Sequence, residues 1–325
     1  MKSQLYDLRR IILISTLILA AFLYASQTSS GQQKLKGAAL ARPTTEKGND
    51  GHITISTELV SLTVTVMDKR GRYASGLERD SFTVYEDEVQ QEIGFFSNLD
   101  SPASIGVIFD VSSSMSGEKM SRSKMALARF IQTSHPEDEY SLITFNDSAH
   151  LLFDRERDGG TLLSQFSGAS PDGNTALYDA VALGIETLAR SRYTKRALIV
   201  ISDGEDNRSR STFNEIKRRM QESGVTAYTI VIGPLLPRSN GRVVMNQLAA
   251  VSGGKSFFPN NLAGLSESFE QIALELRHQY SIGYVPANIT NDGRWRRLKV
   301  IVTPPAESPR LIVRSRKGYY LAASH

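Results

Sequence analysis

Four apolar runs recur through the middle of the 325-residue chain: SIGVIFD (104–110), YSLITFN (140–146), KRALIVISDG (195–204) and VTAYTIVIG (225–233). Their apolar residues are consecutive, the pattern of strands buried on both faces. Segments with helical spacing separate and follow them: MSRSKMALARFIQTS (120–134), TALYDAVALGIETLARS (175–191), STFNEIKRRMQESG (211–224), VMNQLAAVSGG (244–254) and LSESFEQIALELRHQY (265–280). Strands that alternate with helices predict an α/β unit over 101–277, a mostly parallel, Rossmann-like sheet with helices on both faces. Two short runs complete it. AHLLFD (149–154) follows its neighbour too closely for a helical crossover and is expected to run antiparallel, and KSFFP (255–259) reads as a brief strand.

The flanks have a different period. In ELVSLTVTV, Val60, Leu62, Val64 and Val66 share one face and Ser61, Thr63 and Thr65 the other, a half-buried strand. MDKRGR reads as a turn, and FTVYEDEVQQEIGFF (82–96) as two further strands around an acidic turn at Glu86–Glu88. After residue 278 the chain is β again, with HQYSIGYVP, RWRRLKVIVTP and RLIVRSRKGYYL. Each flank is small for an independent sheet. The expectation is that 51–100 and 278–325 pair as one smaller, all-β, sandwich-like domain with the α/β unit inserted between them.

At the N-terminus, Lys2, Arg9 and Arg10 precede the apolar run IILISTLILAAFLYA (11–25). A run of this kind is shorter than the roughly 20 residues a spanning helix needs. Residues 1–26 therefore read first as a cleaved signal peptide, with Ala25–Ser26 as the junction, and second as a short membrane anchor through 11–25. Either reading exports the folded part, to the periplasm, the cell envelope or the medium. Residues 27–50 are small and polar and read as a flexible linker.

Charge and cysteine exclude several function classes. The overall excess of basic residues sits at the two ends: residues 1–50 carry seven Lys/Arg against three Asp/Glu, and 278–325 carry eight against two. The middle, 51–277, carries 23 against 29 and is acidic. A nucleic-acid binder shows a basic stripe on its main domain, so no nucleic-acid partner is expected. There is no cysteine, which removes disulfides, zinc–thiolate sites and thiol nucleophiles.

The strand SIGVIFD ends in Asp110 and runs into VSSSMSG. Asp110, Ser112 and Ser114 occupy alternate positions and can aim three oxygens at one point. In an open α/β sheet, ligands bind beyond the carboxyl ends of the strands. Asp203 in ISDGEDN lies at another such end, and Thr175 in PDGNTALYDA lies in a glycine-flanked loop before a helix. Hard oxygens without His or Cys favour Mg²⁺, or Mn²⁺, over zinc. Five side chains cannot fill an octahedral shell, so the ion would stay electrophilic and open to an Asp or Glu from a protein partner.

The three pieces D-x-S-x-S (110–114), G-N-T (173–175) and S-D-G (202–204) resemble, in order, spacing and strand context, the metal-ion-dependent adhesion site of von Willebrand factor type A domains. The resemblance covers about 101–277. It implies direct coordination by Ser112 and Ser114, with Asp110, Thr175 and Asp203 acting directly or through water. Ser113 stands where many members have glycine, which removes no ligand. The flanks LVSLTVTVMDKRGR, GLERDSFTVYEDEVQQEIGFF and RKGYY are similar to a bacterial, acidobacterial-type group of type A-related proteins.

Taken singly, each piece has a plainer reading: D-x-S-x-S and G-N-T as helix caps, S-D-G as a turn. A phosphatase of the haloacid dehalogenase type would need an acid at position 112, where serine stands. No G-x-S-x-G elbow, P-loop lysine or H-E-x-x-H occurs, and His52, His135, His150, His278 and His325 are scattered. The expectation is a non-enzymatic, metal-dependent protein-binding module. The alternatives are a structural envelope protein with a vestigial site and, last, a metal-dependent hydrolase. PEDEY (136–140) reads as a solvated loop, WRRLK (295–299) as a polar strand face, and Tyr319–Tyr320 as an edge-strand anchor.

Overall fold

The computed structural model describes residues 59–320 apart from 167, 169, 234–238, 289, 291 and 305–309. The signal peptide or anchor (1–26) and the linker (27–50) lie outside the described residues, as does the start of the first β segment. Among the described residues no helix is long and apolar enough to cross a membrane.

The α/β unit is a six-stranded sheet. Its strands are β5 (Ser104–Asp110), β6 (Glu139–Phe145), β7 (Ala149–Glu156), β8 (Arg196–Ser202), β9 (Thr226–Val231) and β10 (Lys255–Phe257), in the order β10-β9-β8-β5-β6-β7. All neighbours are parallel except β7, which returns antiparallel to β6 as its short connection requires. The continuous apolar runs supply both faces. Ile105, Val107 and Phe109 of β5, with Ile199 and Ile201 of β8, face α1 (Glu118–Thr133), α2 (Gly159–Phe166) and α6 (Leu262–Arg277). Ile108 of β5, with Leu198 and Val200 of β8, faces α3 (Leu177–Ala189), α4 (Phe213–Ser223) and α5 (Asn240–Ser252). Helix ends are set locally. Thr212 and Glu215 form a reciprocal capping box on α4, and Gly224 closes that helix in the left-handed region. Asn261 caps α6 by accepting from Gly264 N at 2.9 Å.

The flanking segments form two further four-stranded sheets. One has the order β13-β1-β11-β4, from β13 (Leu311–Arg314), β1 (Val60–Asp68), β11 (Tyr280–Tyr284) and β4 (Ile93–Ser97). The other has the order β14-β12-β2-β3, from β14 (Gly318–Tyr320), β12 (Trp295–Val302), β2 (Phe82–Glu86) and β3 (Val89–Gln91). In both sheets strands from before and after the α/β unit pair antiparallel, as in Val60↔Tyr284 and Val84↔Val300. Their shared core contains Val60, Leu62, Val64, Val66, Phe82, Val84, Ile282, Tyr284 and Leu298. This is an α/β fold flanked by an all-β unit, as the two periodicities indicate.

Four readings of the sequence change in the structure. FTVYEDEVQQEIGFF makes three strands, because the chain breaks at the exposed Glu92 and β4 joins the other sheet. RLIVRSRKGYYL splits into β13 and β14 in different sheets, because Arg316 turns in to donate to Ser61 O at 2.9 Å. In PEDEY, Asp138 and Glu139 are buried: Asp138 accepts from Ala103 N at 2.7 Å and Glu139 from Ser104 Oγ at 2.7 Å, tying the start of β6 to β5. In WRRLK, Arg296 points inward and pairs with Asp292 at 3.0 Å. α2, from GGTLLSQF, has no counterpart in the sequence reading because one short helix leaves too brief a period.

Candidate metal centre

The strand order reverses between β8 and β5. From β5 the chain moves to β6 on one side, then returns across the sheet to β8 on the other. Loops leaving adjacent strands in opposite directions open a crevice at their carboxyl ends. Asp110 is the last residue of β5, and Asp203 follows the last residue of β8.

The Asp110 carboxylate is held on both oxygens. Oδ1 accepts the Ser112 backbone N–H at 2.8 Å, and Oδ2 accepts the Ser202 hydroxyl at 2.5 Å. The first bond curls the chain after β5 so that the Ser112 and Ser114 hydroxyls lie 3.0 Å apart. Lys119, in the first turn of α1, donates to Ser114 O at 2.9 Å and fixes the far side of this loop. The second loop is zipped to the first: Ser113 N donates to Gly173 O at 3.2 Å, and Asp172 N to Val111 O at 2.9 Å. Thr175 is then clamped to the third loop, since Asn207 Oδ1 accepts Thr175 N at 2.9 Å and Asn207 N donates to Thr175 O at 3.1 Å. Burial pushes the Asp110 carboxyl above the usual range. Hydrogen bonds from Ser112 and Ser202 pull it back, and the charge of Asp203 pushes it further up.

The five candidate ligands therefore come from three loops that hydrogen-bond to one another. Among the described residues, neither the Thr175 hydroxyl nor Asp203 Oδ2 has a protein hydrogen-bond partner; Asp203 Oδ1 accepts only a long bond from Glu205 N, 3.4 Å. Also among the described residues, no three His, Asp or Glu side chains gather to hold a metal by themselves. The set is two carboxylates with neutral hydroxyls, all hard oxygens. It fits a hard divalent cation and does not fit a soft one.

Residues outside the five candidate ligands do much of the positioning. Ser202 holds Asp110; its only signal was its place in S-D-G. Asn207, four residues past Asp203, holds Thr175. Asp147 accepts from Asn174 N at 3.2 Å and Nδ2 at 2.7 Å, and Asp206 accepts from Tyr178 N at 3.0 Å at the start of α3. Glu205 is exposed. Gly204 follows Asp203 with φ +87°, and a Cβ there would lie 2.7 Å from Gly241 O at the start of α5. Gly204→Ala is expected to cost about 1–3 kcal/mol from the strained backbone alone, and the close approach adds to it. Urea unfolding of the variant measures this.

Residues 105–205, which contain all five side chains, match the sequence profile of the von Willebrand factor type A domain. The chain carries a von Willebrand factor type A domain. Over 181 residues, 51% of this chain, it is 26% identical to calcium-activated chloride channel regulator 3A-1 of Mus musculus and covers 18% of that protein. Over 154 residues, 42% of this chain, it is 26% identical to inter alpha-trypsin inhibitor, heavy chain 4, of the same species and covers 16% of it. The chain thus spans less than a fifth of the length of these curated relatives. Among solved structures, a von Willebrand factor type A protein from Catenulispora acidiphila is similar with a TM-score of 0.47 and 13% identity, covering 84% of this chain and 75% of that one. In the type A domain described here, Asp110 ends β5 and the S-D-G turn ends β8, the two strands that flank the reversal of order.

Proposed function

We propose that the chain is an exported, metal-dependent protein-binding module of the bacterial cell envelope. Asp110, Ser112, Ser114, Thr175 and Asp203 hold Mg²⁺, or Mn²⁺, at the rim of the type A domain, directly or through water. The bound ion supplies an electrophilic position that a partner's Asp or Glu completes. The paired hydroxyls of Ser112 and Ser114, 3.0 Å apart on a loop curled by Asp110, carry this reading. Two carboxylates and three neutral hydroxyls leave such an ion short of a full octahedral shell, and that open position is what a partner's carboxylate fills.

A hydrolase is the weaker reading on a specific observation. The Asp110 carboxylate is buried with both oxygens hydrogen-bonded, which disfavours a hydrolase that uses it as the nucleophile on a substrate phosphorus or carbonyl carbon. Binding of an immobilised library of Asp- and Glu-containing peptides, run in Mg²⁺ and in EDTA, tests the proposal. Retention of acidic peptides in Mg²⁺ that EDTA releases is the expected result. Retention equal in both buffers contradicts it.

A further inference from the structure

At the opposite end of the sheet from Asp203, a pocket of about 260 Å³ is formed where the α/β unit meets the β sheets. Arg196, at the start of β8, and Arg316, between β13 and β14, both line it. From Arg196 to Ser202 the strand has seven residues, which places this pocket roughly 20 Å from the metal rim.

Two guanidinium groups share this pocket, and among the described residues neither has an ion-pair partner. Arg316 Nη2 donates to Ser61 O at 2.9 Å, and its guanidinium lies 5.1 Å from the centre of the Tyr319 ring. Arg196 Nη1 makes only a long bond to Leu188 O, 3.5 Å. The Nε of each is buried without a hydrogen-bond partner among the described residues. The pocket's one acid, Glu222, is already paired with Arg218 Nε at 2.9 Å. Burial pulls both arginines below their usual range; at Arg316 the Tyr284 and Tyr319 hydroxyls oppose this and the charge of Arg196 adds to it. Buried charges of like sign are costly unless something neutralises them. Guanidinium forks match the oxygens of a tetrahedral oxyanion, to which they donate in pairs.

We propose that this pocket is an oxyanion site, in which Arg196 and Arg316 together bind a phosphate or sulfate group independently of the metal at the rim. The pocket is large enough for a small ester carrying that group.

The test uses the full chain in EDTA, with ionic strength held constant by chloride. Inorganic phosphate and sulfate are each expected to raise the thermal unfolding midpoint saturably, and acetate to raise it less. In Arg196→Met and Arg316→Met the apparent phosphate affinity is expected to fall at least about tenfold, as loss of a charged hydrogen-bonding partner implies. Without phosphate, Arg196→Met is expected to unfold no lower than the parent, because it removes one of two repelling charges. Should a variant fail to fold, calorimetric titration of phosphate into the parent, with sulfate competing, provides the measurement: one saturable site supports the assignment and no heat of binding overturns it. A midpoint indifferent to both oxyanions, or a rise that survives in both variants, also overturns it.

Discussion

Asp110→Asn is expected to weaken Mg²⁺ and Mn²⁺ binding at least about a hundredfold, the upper range for disturbing a metal's surroundings, while the protein stays folded. Asparagine is the informative replacement because Asp110 is buried at the end of β5 and organises its loop. Its amide oxygen can keep the Ser112 N–H, and its amide NH₂ can donate to a rotated Ser202 hydroxyl, which already accepts from Gly204 N at 3.0 Å. Alanine would instead leave the Ser112 N–H and Ser202 hydroxyl unpaired in a buried place, at about 1–3 kcal/mol each, and would confuse loss of the ion with loss of the loop. Because the substitution removes a buried charge that Asp203 opposes, the unfolding midpoint in EDTA is expected to match or exceed that of the parent. Calorimetric titration gives the affinity and thermal unfolding the control. Undiminished metal affinity in the variant would remove Asp110 from the proposed ligand set, and with it the reason for the serine loop.

Glu275→Ala is expected to destabilise the fold by about 3–5 kcal/mol, the range for stripping one partner from a buried ion pair. Glu275 lies on α6 with 2% of its surface exposed. It accepts the Tyr228 hydroxyl of β9 at 2.7 Å and the Thr65 hydroxyl of β1 at 3.2 Å, and it pairs closely with Arg314 of β13. Gln279 Nε2 extends the network by donating to Tyr228 OH at 2.7 Å. A single carboxylate thus joins the last helix of the α/β unit to its sheet and to two strands of the β unit. Truncating it leaves Arg314 without its counter-charge and two hydroxyls without an acceptor. Urea unfolding measures the loss. In the double variant Glu275→Leu/Arg314→Met most of the loss is expected to return, since replacing both members of a buried pair with apolar groups is often neutral. If the double variant is as unstable as Glu275→Ala, the pair is not the source of the effect.

Much of this was legible in the residues. The unbroken apolar runs of β5, β6, β8 and β9 specify strands covered on both faces, because no polar alternate position is left to face water. The alternation in β1 specifies a sheet with one dry face for the same reason. Asp110, Ser112, Ser114, Thr175 and Asp203 could be picked out as candidate oxygen donors because each stands where an apolar run stops or a helix starts. Arg296, Asp138 and Glu139 were misread because sequence pattern treats a charge as solvated unless a partner is near. Asp138 and Glu139 meet Ala103 N and Ser104 Oγ, brought into reach by folding, and Arg296 meets Asp292, four residues back, only because the loop between them turns inward.

The sequence alone determined the kind of each element and the identity of the candidate ligands, since period and residue chemistry are local properties. Only the tertiary structure decided which strands became neighbours, that the order reverses between β8 and β5, and that Ser202 and Asn207 hold the donors in place. It also decided that Glu275 meets Arg314, and that Arg196 and Arg316 share a pocket whose one acid among the described residues, Glu222, is paired with Arg218. Those relations depend on distances between residues far apart along the chain, and nothing but the packed fold sets them.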